Sequence, residues 1–205
     1  MLTPFSIVVD AETTSTHPNA KVSEFSALIF DHSSKQVVDH IQLHFDLSTQ
    51  TGHEDAETLK WREDNNVGFG EPCFPSNHTT LSAFLNFIHR YTKELPAFSI
   101  YANGSNFDFP ILQNLIHDVN ANSAEGQAEL ASDWNFHKEM CLRSIALALF
   151  TKDQYKQLKE DSVLKVQQTL DSIEHSSPRK AQKHNSLHDC IFEAWMLDAC
   201  YEKLK

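Results

Sequence analysis

No stretch of this chain approaches the roughly 18 consecutive apolar residues that a membrane-spanning helix needs. The opening Met1-Leu2-Thr3-Pro4-Phe5 has no basic segment leading into a long apolar one, so no export signal is expected. Cysteine is sparse: Cys73, Cys141, Cys190 and Cys200 contain no C-x-x-C pair, which argues against a cysteine zinc site and gives no disulfide framework to a chain of 205 residues. A soluble, cytoplasmic protein without a membrane partner is the expectation. Positive charge is also short, with Lys+Arg 17 against Asp+Glu 28 and a net charge of −11. That balance disfavours long-range attraction of a polyanion. Net charge is a sum over a whole surface, however, and an enzyme that handles phosphates through bound cations needs only a local field.

What is present is a packable composition, 40% apolar and 10% aromatic, over a length that suits one domain spanning 1–205. Phe5 to Val9 is a short apolar, partly β-branched run that reads as a buried strand ending at Asp10. Glu24 to Phe30 and Val37 to Phe45 read as two more strands, forming an antiparallel meander across the turn Asp31 to Lys35. Asp46 to Pro75 is polar. Leu81, Phe84, Leu85, Ile88 and Tyr91 then carry helical spacing behind an N-cap at Thr79 or Thr80. Phe98 to Ala102 is strand-like and breaks at Asn103-Gly104, and a helix is expected to open at Pro110. After a polar loop from Asn120 to Asp133, helical stretches follow from Arg143 to Phe150 and on to about Ile173. Glu174 to Lys183 is a linker with the basic cluster Arg179, Lys180 and Lys183. A final helix shows the stripe Cys190, Ala194, Leu197, Tyr201, Leu204. The fold class expected is α/β, a mixed sheet flanked by helices in one domain.

Three acidic motifs carry chemistry. Asp10-Ala11-Glu12 sets two carboxylates on one face of a strand, where they repel unless a cation lies between them. Asp108, in Asn103-Gly104-Ser105-Asn106-Phe107-Asp108, stands between a strand and a helix and would serve equally as a helix cap. His184-Asn185-Ser186-Leu187-His188-Asp189 enters the last helix and also reads as a capping box, with Ser186 as N-cap and Asp189 at N3. His184 and His188 could form half of a zinc site, but spacing marks no third ligand.

In this order the three motifs resemble the DEDDh exonucleases, the DnaQ-like branch of the ribonuclease-H-like superfamily. The resemblance covers nearly the whole chain and is nearest to the subgroup of bacterial 3'-5' exoribonucleases and phage DexA exonuclease. Thr58-Leu59-Lys60-Trp61 resembles its Trp-bearing motif, Tyr101 to Leu112 its N-G-x-x-F-D segment, and Trp134 to Ile145 its W-x-F…R-[ST] segment. The resemblance implies two Mg²⁺ ions, replaceable by Mn²⁺, held by Asp10, Glu12, Asp108 and Asp189 roughly 3.5–4 Å apart. It implies that His184 is the general base, and that 3'-5' hydrolysis of RNA or single-stranded DNA releases nucleoside monophosphates. Expected nucleic-acid contacts are Thr13, Lys60, Trp61, Arg62, Asn106, Phe107, Arg143, Arg179, Lys180 and Lys183, with Trp61 a base-stacking candidate between two cations.

The sequence also departs from that pattern. Lys60-Trp61-Arg62 supplies one tryptophan where the subgroup often has two, Cys141 stands near a frequent acid, and Ser15 replaces a frequent glycine. The partner expected is a nucleic-acid 3' end, with a homodimer open to the chain. An inactive nucleic-acid-binding module and an internally cutting metal nuclease are the competing readings.

Overall fold

The computed structural model describes residues 3–95, 97–173 and 185–205, apart from the side chain of Phe136. His184, Arg179, Lys180 and Lys183, and the linker reading of 174–183, lie outside the described residues. Five strands form one mixed sheet in the order β3-β2-β1-β4-β5. They are β1 (Phe5–Thr13), β2 (Val22–Asp31), β3 (Gln36–His44), β4 (Phe98–Ala102) and β5 (Glu139–Cys141). The first three make the expected antiparallel meander, and β4 and β5 are parallel to their neighbours. β5 is only three residues long and lacks a readable alternation.

Six α-helices are described: α1 (Ala56–Asp64), α2 (Asn77–Glu94), α3 (Ser105–Ala121), α4 (Leu142–Leu149), α5 (Lys152–Ile173) and α6 (Ser186–Leu204). Alternation along β1 divides the core into two layers. Ile7, Val9 and Ala11 pack with Phe84, Ile88, Leu112 and Leu115 of α2 and α3. Val8 packs on the opposite face with Leu142, Val166, Cys190 and Ala194 of α4, α5 and α6. Burying side chains such as Phe25 and Phe84, whose ring centroids are 5.1 Å apart, stabilises the layer under α2 and α3 by about 1.5–3 kcal/mol per residue.

Several element boundaries differ from the sequence reading, each for a local reason. β1 does not stop at Asp10 but runs to Thr13, because β2 continues to pair with it through Glu12↔Glu24. α2 is capped by Ser76, whose hydroxyl accepts from Thr79 N–H, rather than by Thr79 or Thr80. α3 opens at Ser105 and carries Pro110 inside it; near a helix start the proline forfeits a single ladder bond, to the carbonyl four residues earlier. α1 lies within the segment read as merely polar.

Candidate metal centre and active site

Because Ile7, Val9 and Ala11 face α2 and α3, the even positions of β1 face α6, and Asp10 and Glu12 project there two residues apart. Across the ladder Asp10 stands beside Ser26 and Glu12 beside Glu24. Glu24 then anchors α6. Its carboxylate accepts from the Ser186 N–H at 2.7 Å, from the Ser186 hydroxyl, and from Asn185 Nδ2 at 3.4 Å. Ser26 Oγ is 2.5 Å from Ser186 Oγ. With Ser186 committed to β2, the N-cap is Asn185, whose side chain accepts from the N–H groups of Leu187 and His188; the expected capping box at Ser186 is not formed. The buried Cys190 lets the helix approach closely, its Sγ 3.6 Å from the carbonyls of Val8 and Ser26.

That anchoring brings Asp189 to the pair on β1. One carboxylate oxygen from each of Asp10, Glu12 and Asp189 lies within 4.8 Å of the other two. Among the described residues this is the one group of three or more His, Cys, Asp and Glu side chains so arranged, and it contains no histidine. His188 instead turns Nδ1 to Asp189 Oδ1 at 2.9 Å, which gives no support to a zinc pair. Asp108, one turn into α3 and 4% exposed, is close enough for its charge to bear on Asp10.

The electrostatics are those of an acidic cluster only partly compensated, by Arg62 and Arg143. Burial raises the Asp10 carboxyl well above its usual range, and the charges of Glu193, Asp108, Asp189 and Glu12 raise it further. Burial pushes Glu12 up to about 7 against the pull of Arg62, with Asp189 and Glu24 adding to the rise. Burial also pushes Asp108 up to about 7, although hydrogen bonds from the backbone N–H groups of Ala11, Gly104 and Asp108 and the charge of Arg143 act the other way.

Glu193 is a fifth member that motif reading missed. It is 2% exposed, its carboxyl is raised well above the usual range by burial and by Asp108 and Asp189, and its Oε2 has no hydrogen-bond partner. Its signal was an acid four residues after Asp189, on the same helix face and inside the docking stripe. Converging carboxylate oxygens, mutual repulsion and an orphaned buried oxygen fit a hard divalent cation, which takes oxygen ligands.

This repulsion has a measurable consequence. Glu12 and Asp108 bind protons more tightly in the folded protein than in the unfolded chain, where carboxyls titrate near 4. The stability tied to their protonation is therefore complete below about pH 4 and lost as pH rises through about 7. Without divalent cation the protein is expected to melt roughly 5–10 °C lower at pH 7.5 than at pH 5, reflecting a few kcal/mol, and added Ca²⁺ is expected to remove that slope. Calorimetric melting with and without chelator checks both signs.

A family model of the 3'-5' exoribonuclease Rv2179c-like domain matches residues 6–201. The chain belongs to that family. It is also similar to the exodeoxyribonuclease of Enterobacteria phage T4, at 22% identity over 207 residues covering 94% of this chain and 87% of the relative. Two solved structures share the fold. One is the nuclease domain of 3'hExo, a DEDDh family member, bound to rAMP, with a TM-score of 0.56 at 12% identity over 98% of this chain and 92% of that one. The other is exonuclease X in complex with 5' overhanging duplex DNA, with a TM-score of 0.53 at 12% identity over 96% and 91%. The sheet and its flanking helices are thus the ribonuclease-H-like fold of the DEDDh exonucleases. The protein is a 3'-5' exonuclease, a hydrolase of nucleic-acid phosphodiester bonds in a metal-dependent family.

Seven of the expected nucleic-acid contacts lie within the described residues. Lys60, Trp61, Asn106 and Arg143 are exposed, and the charge of Arg143 bears on both Asp108 and Glu193. Phe107 is half-buried against the α2–α3 layer. Thr13 and Arg62 are placed otherwise. Thr13 is buried and its hydroxyl donates to the Ser15 carbonyl at 2.7 Å. The Arg62 side chain is 6% exposed, with Nη1 2.8 Å from Glu12 Oε2, so its guanidinium faces the carboxylate cluster rather than solvent. Ser15 is buried as well, its Oγ accepting from His17 N–H. Among the described residues no helix is long and apolar enough to cross a membrane.

Proposed function

We propose that this protein, as one exonuclease domain over 1–205, removes nucleoside 5'-monophosphates one at a time from the 3' end of single-stranded RNA. The observation that carries the reading is the meeting of Asp10, Glu12 and Asp189 oxygens within 4.8 Å, with Asp108 beside Asp10. In this reading Asp10, Glu12 and Asp189 would hold one Mg²⁺, and Asp10 with Asp108 a second; Mn²⁺ could substitute. The ions would supply positive charge at the phosphate and acidify water. The protein's own residues do the rest. His184 takes the proton of the attacking water, whose oxygen bonds to phosphorus as the P–O3' bond breaks, and the departing O3' takes its proton from a solvent water. Arg143, beside Asp108 and Glu193 and open to solvent, orients a phosphate oxygen. Trp61, 43% exposed on α1, stacks on a base near the 3' end.

RNA is chosen over DNA because the matching family model describes exoribonucleases, whereas the T4 relative is an exodeoxyribonuclease. Initial rates with Mg²⁺ on matched single-stranded RNA and DNA test this choice. A higher kcat/KM on DNA would reverse it.

Two charges on each of two ions take −11 to −7, so capture of the strand must be local. With Arg62 occupied at Glu12, Arg143, the basic residues Arg179, Lys180 and Lys183, and Lys60, whose pair with Asp64 is exposed, would meet phosphates. Binding measured in Ca²⁺ is expected to show a shallow dependence of log K on log salt, about −0.7 per phosphate neutralised, and Arg143→Ala is expected to remove about one such unit. We further place the protein in the cytoplasm, in keeping with four unpaired cysteines, and read it as able to self-associate. Sedimentation equilibrium measures the latter.

A further inference from the structure

Arg62 is the one lysine or arginine in direct hydrogen-bonded contact with the cluster among the described residues. Its surroundings are those of a committed internal charge. Nη1 donates to Glu12 Oε2 at 2.8 Å, Nη2 to the Gly68 carbonyl at 3.4 Å, and the Phe69 ring covers the guanidinium with its centroid 4.6 Å from Cζ. Nε is buried with no partner. A guanidinium retained only to brace the fold would be expected to satisfy its donors. Here the one short bond, and the one to a charged group, goes to the carboxylate of Glu12, while the bond to Gly68 is long and Nε goes without. Across the cluster five carboxylates, Asp10, Glu12, Asp108, Asp189 and Glu193, face two arginines, and Arg143 is exposed. Arg62 is therefore the main buried compensation for the acids.

We propose that Arg62 is a built-in counter-ion that competes with the divalent cation for Glu12. In the metal-free protein it neutralises Glu12 and keeps a strongly repelling cluster folded. Once a cation is held at Glu12, the fixed positive charge a few ångströms away opposes it, so Arg62 sets the concentration of divalent cation at which the site fills. The inference rests on the reading of Asp10, Glu12 and Asp189 as a metal site.

Calcium binding to the full chain, followed by calorimetry at pH 8.5 to keep protons from competing, tests it on the wild type, Arg62→Met and Arg62→Lys. Arg62→Met is expected to bind Ca²⁺ at least about tenfold more tightly and to melt at a lower temperature when metal-free, with a larger upward shift on adding Ca²⁺ than the wild type shows. Arg62→Lys, which keeps the charge, is expected to remain close to wild type. If Arg62→Met does not fold, Arg62→Gln removes the charge while leaving a donor for Glu12. Unchanged or weaker Ca²⁺ binding in the neutral variants would overturn the proposal, as would a lysine variant that behaves like the neutral ones. If the wild type itself takes up no Ca²⁺, the metal-site reading fails and this inference with it.

Discussion

Asp10→Asn is expected to abolish turnover, by at least about 10³-fold, while the metal-free protein becomes more stable. The two effects have one cause. Asp10 is the residue on which every other acid of the cluster bears: burial, then Glu193, Asp108, Asp189 and Glu12, disfavour its charged form. An isosteric amide removes that penalty, and a relief of about 1–2 kcal/mol corresponds to roughly 2–8 °C in melting temperature for a chain of this size. The same change withdraws a carboxylate that would help to hold both proposed ions, so the positive charge they would supply at the substrate phosphate is lost. Asp189→Ala is expected to behave alike in turnover, since its oxygen closes the group of three. Turnover near wild type in either variant would mean that the site lies elsewhere. A fall in metal-free melting temperature for Asp10→Asn would mean that the cluster is not under electrostatic strain.

His184→Ala is expected to lower kcat by about 10²–10⁴-fold with little change in KM, because a general base acts as the transition state forms rather than in the ground state. His188 is the control. It lies in the first turn of α6 with Nδ1 bonded to Asp189, where it orients that carboxylate. Its loss is expected to cost less and to be partly recovered at higher Mg²⁺, since the defect is one of ligand placement. Single-turnover cleavage by the two variants side by side separates the roles. A larger and metal-insensitive defect in His188→Ala would transfer the base to that residue.

What the sequence made legible was whatever burial makes periodic. The alternation of β1 and the stripes on α2 and α6 are written in apolar residues, and D-x-E on a strand fixes two carboxylates on one face whatever the rest of the fold does. Asp108 was legible from its place between a strand and a helix, though not the true start of that helix, because Pro110 masked it. α1 escaped because it has no apolar stripe, and the residue it buries is Arg62, held by charge. Glu24 and Glu193 escaped for a related reason. An acid inside a buried strand or helix face is expected to be excluded, and only the folded arrangement shows that one receives the start of α6 and the other faces Asp108 and Asp189. Arg62 was read as a surface cation next to an exposed tryptophan, and no one-dimensional pattern distinguishes a guanidinium that points outward from one turned inward to Glu12.

The most direct test of stepwise 3'-5' cleavage at this cluster is the first product released from a single-stranded RNA labelled at its 3' terminal nucleotide, followed with Mg²⁺ present. The expected result is labelled nucleoside monophosphate from the earliest time point, absent with chelator and absent in Asp10→Asn. Labelled fragments of several nucleotides appearing first, or monophosphate release that survives in Asp10→Asn, would contradict it.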